Sequence, residues 1–240
     1  MKVNTIYPAF MGEVNKFGIG APCVFVRTAG CNLRCYYKTL GILCDTPEAL
    51  EGTCGEEKSV EEIITEVRRF KLPLVCLTGG EPLLQDRSEL LSLFAGLAAC
   101  GICVVVETNG SVRISPYVGL ANVSFVVDYK SFSTGEQHMM ATDNWKYMTK
   151  DDWLKFVIYN DADITAMFSW CDRYNAIFRG HVSAGVFWGT ENVSYLNLLK
   201  QITRVHPEFN IHLNMQTHKM VWMYENNLDV AKKIIAPKDL

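Results

Sequence analysis

The stretch CVFVRTAGCNLRC, residues 23–35, joins a short apolar run to a loop that carries Cys31 and Cys35. The run has the length of a strand and shows no strict alternation, which is typical of a parallel strand covered on both faces. A third cysteine, Cys44, follows in the same loop. These cysteines are therefore expected together at the carboxyl end of a buried strand.

Strand-like and helical segments alternate along the rest of the chain. The segment SVEEIITEVRRF (59–70) begins with Ser59 and Glu62 at the spacing of a capping box and predicts a helix. The alternation predicts an α/β fold with a parallel sheet, and 240 residues are few for eight complete βα units, so we expect an incomplete barrel in a single domain. The predicted strands are 23–28, 73–78, 102–107, 124–129, 155–159, 181–187 and 210–215, and residues 131–153 are predicted to form a long connection.

Unusual residues follow five of these strands. In parallel α/β folds, ligands bind at the carboxyl edge of the sheet, so five such loops predict one site there. The loops are the cysteine loop after the first strand, TGGEP (78–82), ETNG (107–110), DYKS (128–131) and QTHK (216–219).

The composition excludes some classes of protein. A formal net charge of −3 at pH 7 gives no broad basic surface for nucleic acid. The most apolar stretch, 93–106, is interrupted by glycines and is shorter than the ~20 residues of a membrane span. No signal peptide is evident near the start, so we expect a cytoplasmic protein whose cysteines stay reduced.

The three cysteines of the loop could hold more than one kind of centre. A zinc site needs four ligands, and Cys54 could be the fourth, but the loop has no CxxC pair. Three cysteines also suit a cubane iron–sulfur cluster in which one iron lacks a protein ligand. Such an iron can bind a small molecule, which would make the site catalytic.

The motif GCNLRC (30–35), followed by a third cysteine and by TGGEP, resembles the radical S-adenosylmethionine (SAM) superfamily. The usual spacing there is CxxxCxxC, but Lys38 stands at the third position, so Cys44 or Cys54 must substitute. Within the superfamily, the chain is similar to the 7-carboxy-7-deazaguanine synthase family, whose third cysteine precedes Asp-Thr, and this favours Cys44. Further similar segments, over residues 1–222, are FMGEV (10–14), FVR (25–27), CLTGGEPLLQ (76–85), ETNGSV (107–112), DYK (128–130) and MQTHK (215–219).

The resemblance implies a reaction and its cofactors. A [4Fe-4S] cluster passes one electron to SAM, and the resulting 5′-deoxyadenosyl radical takes a hydrogen atom from 6-carboxy-5,6,7,8-tetrahydropterin. Ring contraction with loss of ammonia then gives 7-carboxy-7-deazaguanine, an intermediate of queuosine-type biosynthesis. The enzyme would be a carbon–nitrogen lyase that also uses Mg²⁺. Its implied partners are an electron donor such as flavodoxin and a second copy of the chain in a homodimer, with no nucleic acid and no membrane.

The resemblance also implies a role for each matching residue. Gly79 and Gly80 would allow the backbone close to SAM, and Glu81 would face its ammonium or support it by a hydrogen bond. Arg27 would clamp a substrate carboxylate. The implied cluster ligands are Cys31, Cys35 and Cys44; the SAM-binding residues are Leu43, Asp45, Gly79, Gly80, Glu81, Asp128, Tyr129 and Lys130; the substrate-binding residues are Phe10, Met11, Gly12, Arg27 and Thr78; and Thr46 would bind Mg²⁺.

Three departures from the family pattern bear on these expectations. The loop from Cys35 to Cys44 is longer than usual, Leu43 replaces an aromatic residue, and Met11 and Val14 replace a polar residue and a glycine. Two rival functions remain at this point: another radical SAM enzyme, such as a glycyl-radical activase, and a zinc-bearing interaction module. A single domain over 1–240 is expected, with a core at about 20–222 and a C-terminal extension at 223–240.

Overall fold

The computed structural model describes residues 1–42, 44–187, 190–215 and 217, and its strands form one open sheet. The order is β3-β1-β2-β4-β5-β6-β7-β8-β9, in which β2 and β4 to β9 run parallel while β1 is antiparallel to β2 and β3. The strands are β1 (Lys2–Phe10), β2 (Pro22–Thr28), β3 (Glu56–Glu57), β4 (Leu74–Gly79), β5 (Cys103–Thr108), β6 (Val123–Tyr129), β7 (Trp153–Ile158), β8 (His181–Val186) and β9 (Ile211–Leu213). This open, mostly parallel sheet confirms the expected incomplete β/α barrel.

The helices lie in the connections between strands. Ser59 and Glu62 form the expected capping box at the start of the second helix, because each side chain accepts a hydrogen bond from the other residue's backbone N–H. Among the described residues, no helix is long and apolar enough to cross a membrane. The helices are α1 (Tyr37–Leu40), α2 (Val60–Arg69), α3 (Arg87–Ala99), α4 (Asp161–Tyr174) and α5 (Tyr195–Lys200), the last continued by a π-helical turn at Gln201–Val205.

Strand β1 is an element that the sequence pattern did not predict. Its segment KVNTIYPAF contains Pro8, which lacks a backbone N–H and is usually excluded from central strands. The structure tolerates Pro8 because β3 pairs only with Lys2 and Val3, which leaves the rest of β1 at an edge on that side. Strand β1 thus extends the parallel sheet at the side of β2.

The predicted connection at 131–153 is ordered by short 3₁₀ turns, at Phe132–Thr134, Gln137–Met139 and Asn144–Lys146. It packs against the cysteine loop: the backbone N–H of Tyr36 donates to the carbonyl of Thr134 (2.8 Å), and that of Arg34 donates to the carboxylate of Glu136 (3.0 Å). The connection therefore supports the loop that carries Cys35.

Candidate functional site

A polar cavity lies at the carboxyl edge of the parallel strands. Each of five successive strands contributes one polar residue to its lining, and each of these residues lies two positions after an apolar residue that faces the same way. The polar residues are Arg27, Thr78, Glu107, Asp128 and Lys155, and the apolar residues below them are Phe25, Cys76, Val105, Val126 and Trp153. The barrel interior is thus closed by an apolar layer at one end and is polar at the other.

The three cysteines of the loop line this cavity. Burial raises the pKa of Cys35, and burial together with Asp45 raises the pKa of Cys44 to about 11. The thiols of Cys35 and Cys44 are therefore protonated at neutral pH unless a metal binds them, since a metal deprotonates its coordinating thiols. Cys54 is exposed and does not line the cavity.

The segment TGGEP anchors the cysteine loop to β4. The backbone N–H of Gly80 donates to the carbonyl of Thr28 (3.0 Å), and that of Glu81 donates to the carbonyl of Gly30 (2.8 Å). A Cβ at Gly79 would collide with the backbone of Thr28, and one at Gly80 would collide with the carbonyl of Gly30. Both glycines line the cavity, and their lack of a side chain is required by the close approach of the cysteine loop.

Glu81 is fully buried and does not line the cavity. Its carboxylate accepts hydrogen bonds from the Thr108 hydroxyl (2.8 Å) and from the backbone N–H groups of Leu83 (3.0 Å) and Asn109 (2.6 Å). Burial raises the pKa of Glu81 in spite of these bonds. Glu81 was expected either to face the SAM ammonium or to act as a support through hydrogen bonds. This geometry matches the supporting role, because the hydrogen bonds of Glu81 fix the ETNG turn beside TGGEP.

Asn109 is a site residue to which the sequence analysis gave no role. Its side-chain amide lies 3.6 Å from the sulfur of Cys31 and also donates to the Asn32 side chain (3.1 Å). Glu81 holds the backbone of Asn109, so the amide is oriented by the same contact that fixes the turn. Its place in ETNG was the signal in the sequence, but the contact with Cys31 required the structure.

Asp128 and Lys130 face the cavity from the end of β6, whereas Tyr129 between them faces the helices. The Lys130 ammonium contacts the Asp128 carboxylate at 2.9 Å. Burial raises the pKa of Asp128, but Lys130 and Lys155 outweigh burial and hold it below its usual value. The Tyr129 ring packs on Phe156, with ring centroids 4.8 Å apart.

Arg27, Asp45 and Thr46 form a second polar group on the cavity wall. One guanidinium N–H of Arg27 donates to the Tyr7 hydroxyl (3.0 Å) and another lies 3.4 Å from the Thr46 hydroxyl. The Thr46 hydroxyl also lies 3.4 Å from the Asp45 carboxylate. Arg27, the expected carboxylate clamp, and Thr46, the expected Mg²⁺ ligand, are therefore neighbours. Thr78 lies beside Arg27 on the neighbouring strand β4.

Glu13, Glu107 and Lys155 also line the cavity, although the sequence analysis gave none of them a role of its own. Burial and, to a smaller extent, the negative charge of Glu13 raise the pKa of Glu107 to about 7. Within the described part of the chain, one buried oxygen of Glu107 and one of Asp128 have no hydrogen-bond partner. Two unpaired buried acceptors in one cavity suit a ligand that carries N–H or ammonium donors.

Besides Glu81 and Tyr129, three expected residues do not line the cavity, namely Phe10, Met11 and Gly12. Phe10 is 55% exposed at the end of β1, and Met11 is fully buried in the apolar layer beneath the cavity. Gly12 is buried and its carbonyl accepts a hydrogen bond from the backbone of Thr217 (3.1 Å), although the adjacent Glu13 does line the cavity. Leu43, like His218 and Lys219, lies outside the described residues.

The donor set of the cysteine loop fits a cluster better than a single metal ion. In the described part of the chain, no three His, Cys, Asp or Glu side chains converge closely enough to hold one ion. The thiolates of a cubane cluster bind different irons and stand further apart than the ligands of one ion. Three cysteines around one cavity, with the glycine backbone of TGGEP opposite, match that requirement.

Comparisons with known proteins agree with this fold and donor set. The profile of the Radical SAM superfamily matches residues 25–133. A 7-carboxy-7-deazaguanine synthase of Koribacter versatilis is 32% identical over 238 residues, covering 94% of this chain and 98% of that protein. Synthases of the same name from Thermoplasma acidophilum (30% identical, 92% and 97% covered) and Clostridium acetobutylicum (31%, 85% and 88%) also match.

A solved structure gives the same result for the fold. QueE from Escherichia coli superimposes with a TM-score of 0.66 at 18% sequence identity, covering 89% of this chain and 93% of that one. With relatives of the same name similar over nearly their whole length, the chain belongs to the 7-carboxy-7-deazaguanine synthase family of radical SAM enzymes.

Proposed function

We propose that this protein converts 6-carboxy-5,6,7,8-tetrahydropterin to 7-carboxy-7-deazaguanine, with loss of ammonia, in queuosine-type biosynthesis. The observation that carries the proposal is the single cavity that gathers three thiols, the glycine backbone of TGGEP and charged groups of both signs. Relatives named 7-carboxy-7-deazaguanine synthase, similar over almost the full chain, support the same reaction.

Cys31, Cys35 and Cys44 hold a [4Fe-4S] cluster in this proposal, and Cys54 takes no part. When bound, the cluster and SAM supply the one-electron chemistry that removes a hydrogen atom from the substrate. The protein must exclude water from that chemistry. The 131–153 connection packs against the cysteine loop beside the half-buried Cys35, through the contact of Tyr36 with Thr134, and serves that purpose.

The proposed SAM-binding groups are the backbone at Gly79 and Gly80 and the side chains of Asp45, Asp128 and Lys130. The unpaired oxygen of Asp128 is an acceptor suited to the SAM ammonium. Glu81 and Tyr129 act indirectly, because Glu81 holds the turn beside the glycines and Tyr129 packs behind the strand. Leu43, which lies outside the described residues, is proposed for SAM binding on the family resemblance alone.

The proposed substrate-binding groups are Arg27 and Thr78, with Thr46 and a Mg²⁺ ion at the substrate carboxylate. A guanidinium N–H and a hydroxyl 3.4 Å apart can bind one carboxylate between them. Mg²⁺ keeps several waters and takes few protein ligands, so one hydroxyl beside Asp45 is sufficient when the substrate supplies the charge. Phe10, Met11 and Gly12 would act on the substrate indirectly, because they precede Glu13, which lines the cavity.

The remaining proposals concern partners and organisation. A one-electron donor such as a flavodoxin reduces the cluster, the protein is a cytoplasmic homodimer, and residues 1–240 form one radical SAM domain. Residues 223–240, proposed as a C-terminal extension, lie outside the described residues.

An anaerobic assay tests the proposed reaction. The protein is reconstituted with iron and sulfide, reduced, and supplied with SAM, Mg²⁺ and 6-carboxytetrahydropterin, and 7-carboxy-7-deazaguanine is sought by mass spectrometry. Formation of that product supports the proposal. If 5′-deoxyadenosine accumulates without it, the protein has another substrate, and the assay would then be repeated with a glycyl-radical protein as acceptor.

A further inference from the structure

Lys155 lies between two carboxylates from distant parts of the chain. Its ammonium is 3.3 Å from the Asp128 carboxylate on the neighbouring strand β6 and 3.4 Å from the Glu13 carboxylate in the β1–β2 loop. Lys155 is 8% exposed and Glu13 is 4% exposed, so water screens these ion pairs little. One buried cation therefore joins the two sides of the cavity.

The contacts continue beyond these two pairs. The Asp128 oxygen that faces Lys155 also accepts from the Lys130 ammonium (2.9 Å). On the other side, the second oxygen of Glu13 accepts from the Asn214 side chain, whose own oxygen accepts from the backbone N–H of Val14 (3.3 Å). A continuous polar chain thus runs from β6 through β7 to the β1–β2 loop and the end of β9.

We propose that Lys155 is a positioning residue that couples the segment 128–130 to the segment 11–15 across the cavity. The inference rests on the proposed function only in taking 128–130 to be a SAM-binding segment. A cation that binds the unpaired oxygen of Asp128 weakens the electrostatic attraction between Asp128 and Lys155. Lys155 then pairs more strongly with Glu13, and the 11–15 segment becomes better ordered before the substrate arrives.

A purely structural role would give a different result from a coupling role. If Lys155 only neutralises buried charge, its loss lowers the stability of the whole protein but leaves the response of each segment to SAM unchanged. If Lys155 couples the segments, SAM slows hydrogen exchange at 11–15 in the wild type but not in a variant that lacks the charge of Lys155. Hydrogen exchange of the two segments separates these cases.

The experiment is hydrogen–deuterium exchange with mass spectrometry on the reconstituted protein, with and without SAM, and without any pterin. In the wild type, SAM is expected to slow exchange in peptides covering 128–130 and 11–15, each by about fivefold or more, the lower end of ordinary coupling between sites. In Lys155→Met, slowing is expected at 128–130 alone. In Lys155→Arg, which keeps the charge, slowing at 11–15 is expected to return.

Two further variants keep the test decisive. Lys155→Met could fail to fold because it leaves Asp128 and Glu13 without their shared cation, so Lys155→Met/Glu13→Gln, which removes one charge of each sign, is measured beside it. Lys58→Met is the matched control, because Lys58 pairs with Glu66 (3.0 Å) far from the cavity. Equal slowing at 11–15 in the wild type, in Lys155→Met and in Lys155→Met/Glu13→Gln, or no slowing there in the wild type, would overturn the proposal.

The exchange result does not depend on the identity of the substrate. If SAM slows exchange at 11–15 through Lys155 but no 7-carboxy-7-deazaguanine forms, the coupling stands and the proposed reaction fails. If the product forms and Lys155→Met shows the wild-type exchange pattern, the reaction stands and the coupling fails.

Discussion

The side-chain amide of Asn109 lies 3.6 Å from the sulfur of Cys31, and the carboxylate of Glu81 holds the backbone of Asn109 at 2.6 Å. The strands β4 and β5 therefore support the cysteine loop with a hydrogen-bond donor directed at one of its thiols. Hydrogen bonds to sulfur are one means by which a protein sets the potential of an iron–sulfur cluster.

Replacing Asn109 by Ala should lower the reduction potential of the cluster. A hydrogen bond to a thiolate stabilises the reduced state of the cluster, which carries more negative charge. Its loss is expected to destabilise that state by about 1.4 kcal/mol, which lowers the potential by about 60 mV for one electron. Redox titration followed by electron paramagnetic resonance measures the shift. Ser111→Ala removes a neighbour of Asn109 without touching Cys31 and serves as the control; equal potentials in all three proteins would contradict the assignment.

Cys44 and Cys54 should differ sharply when each is replaced by Ala. Cys44 lines the cavity with Cys31 and Cys35, whereas Cys54 is exposed outside it. We expect Cys44→Ala to lose the cluster and to lower product formation to the background, and Cys54→Ala to keep wild-type iron content. Iron and sulfide analysis after anaerobic reconstitution decides the point. Retention of the cluster in Cys44→Ala with its loss in Cys54→Ala would reverse the ligand assignment.

Gly80→Ala should disturb the cysteine loop through the backbone. The added Cβ meets the carbonyl of Gly30, a main-chain atom that cannot move aside alone. Such overpacking costs about 1–3 kcal/mol in the free energy of unfolding, which urea denaturation measures, and we expect lower iron incorporation as well. Gly52→Ala, in the same loop region, has only the end of the flexible Lys2 side chain within 4 Å and should leave both quantities unchanged.

The sequence predicted the fold because the pattern of buried parallel strands is strong. Each predicted strand from 23–28 onward is present within about two residues, but β1 was missed because Pro8 and its mixed pattern do not resemble a strand. Its place at the sheet edge is a property of the pairing with β2 and β3, which no local pattern reveals.

The candidate site was predictable only in part, for a related reason. Motifs placed Cys31, Arg27 and Asp128 at the carboxyl edge because Arg27 and Asp128 lie in the last two residues of their strands and Cys31 follows a strand closely. Lys155 lies inside the strand run WLKFVI, where a lysine gives no motif, and only the register with Asp128 shows its position.

Glu107 should give the protein a pH-dependent stability. Burial and Glu13 raise its pKa from about 4.5 to about 7, so the folded state binds a proton that the unfolded state has released. The contribution of Glu107 to the free energy of unfolding is therefore fully present below about pH 4.5 and is lost as the pH rises through 7. This contribution is at most on the order of 3 kcal/mol.

Glu107→Gln is expected to remove this fall in stability, since an amide does not titrate. Urea denaturation of both proteins at several pH values between 4.5 and 8 measures the difference. Other groups near Glu107 also carry charge, namely Arg27, Lys155 and Glu13, and they are the same in both proteins. Parallel pH profiles for the two proteins would show that Glu107 titrates normally.

Arg27→Lys should weaken binding of the substrate more than it slows the reaction. Lysine keeps the charge but loses the fork that reaches both the Tyr7 hydroxyl and the Thr46 hydroxyl. Loss of one charge-assisted hydrogen bond, about 1.5–3 kcal/mol, corresponds to a rise in KM for 6-carboxytetrahydropterin of roughly 10- to 150-fold. Steady-state kinetics measures KM and kcat separately. Tyr7→Phe removes the hydroxyl that orients Arg27 and should raise KM by a smaller factor in the same direction. An unchanged KM for the pterin in Arg27→Lys, or a rise in KM for SAM instead, would place the carboxylate of the substrate elsewhere in the cavity.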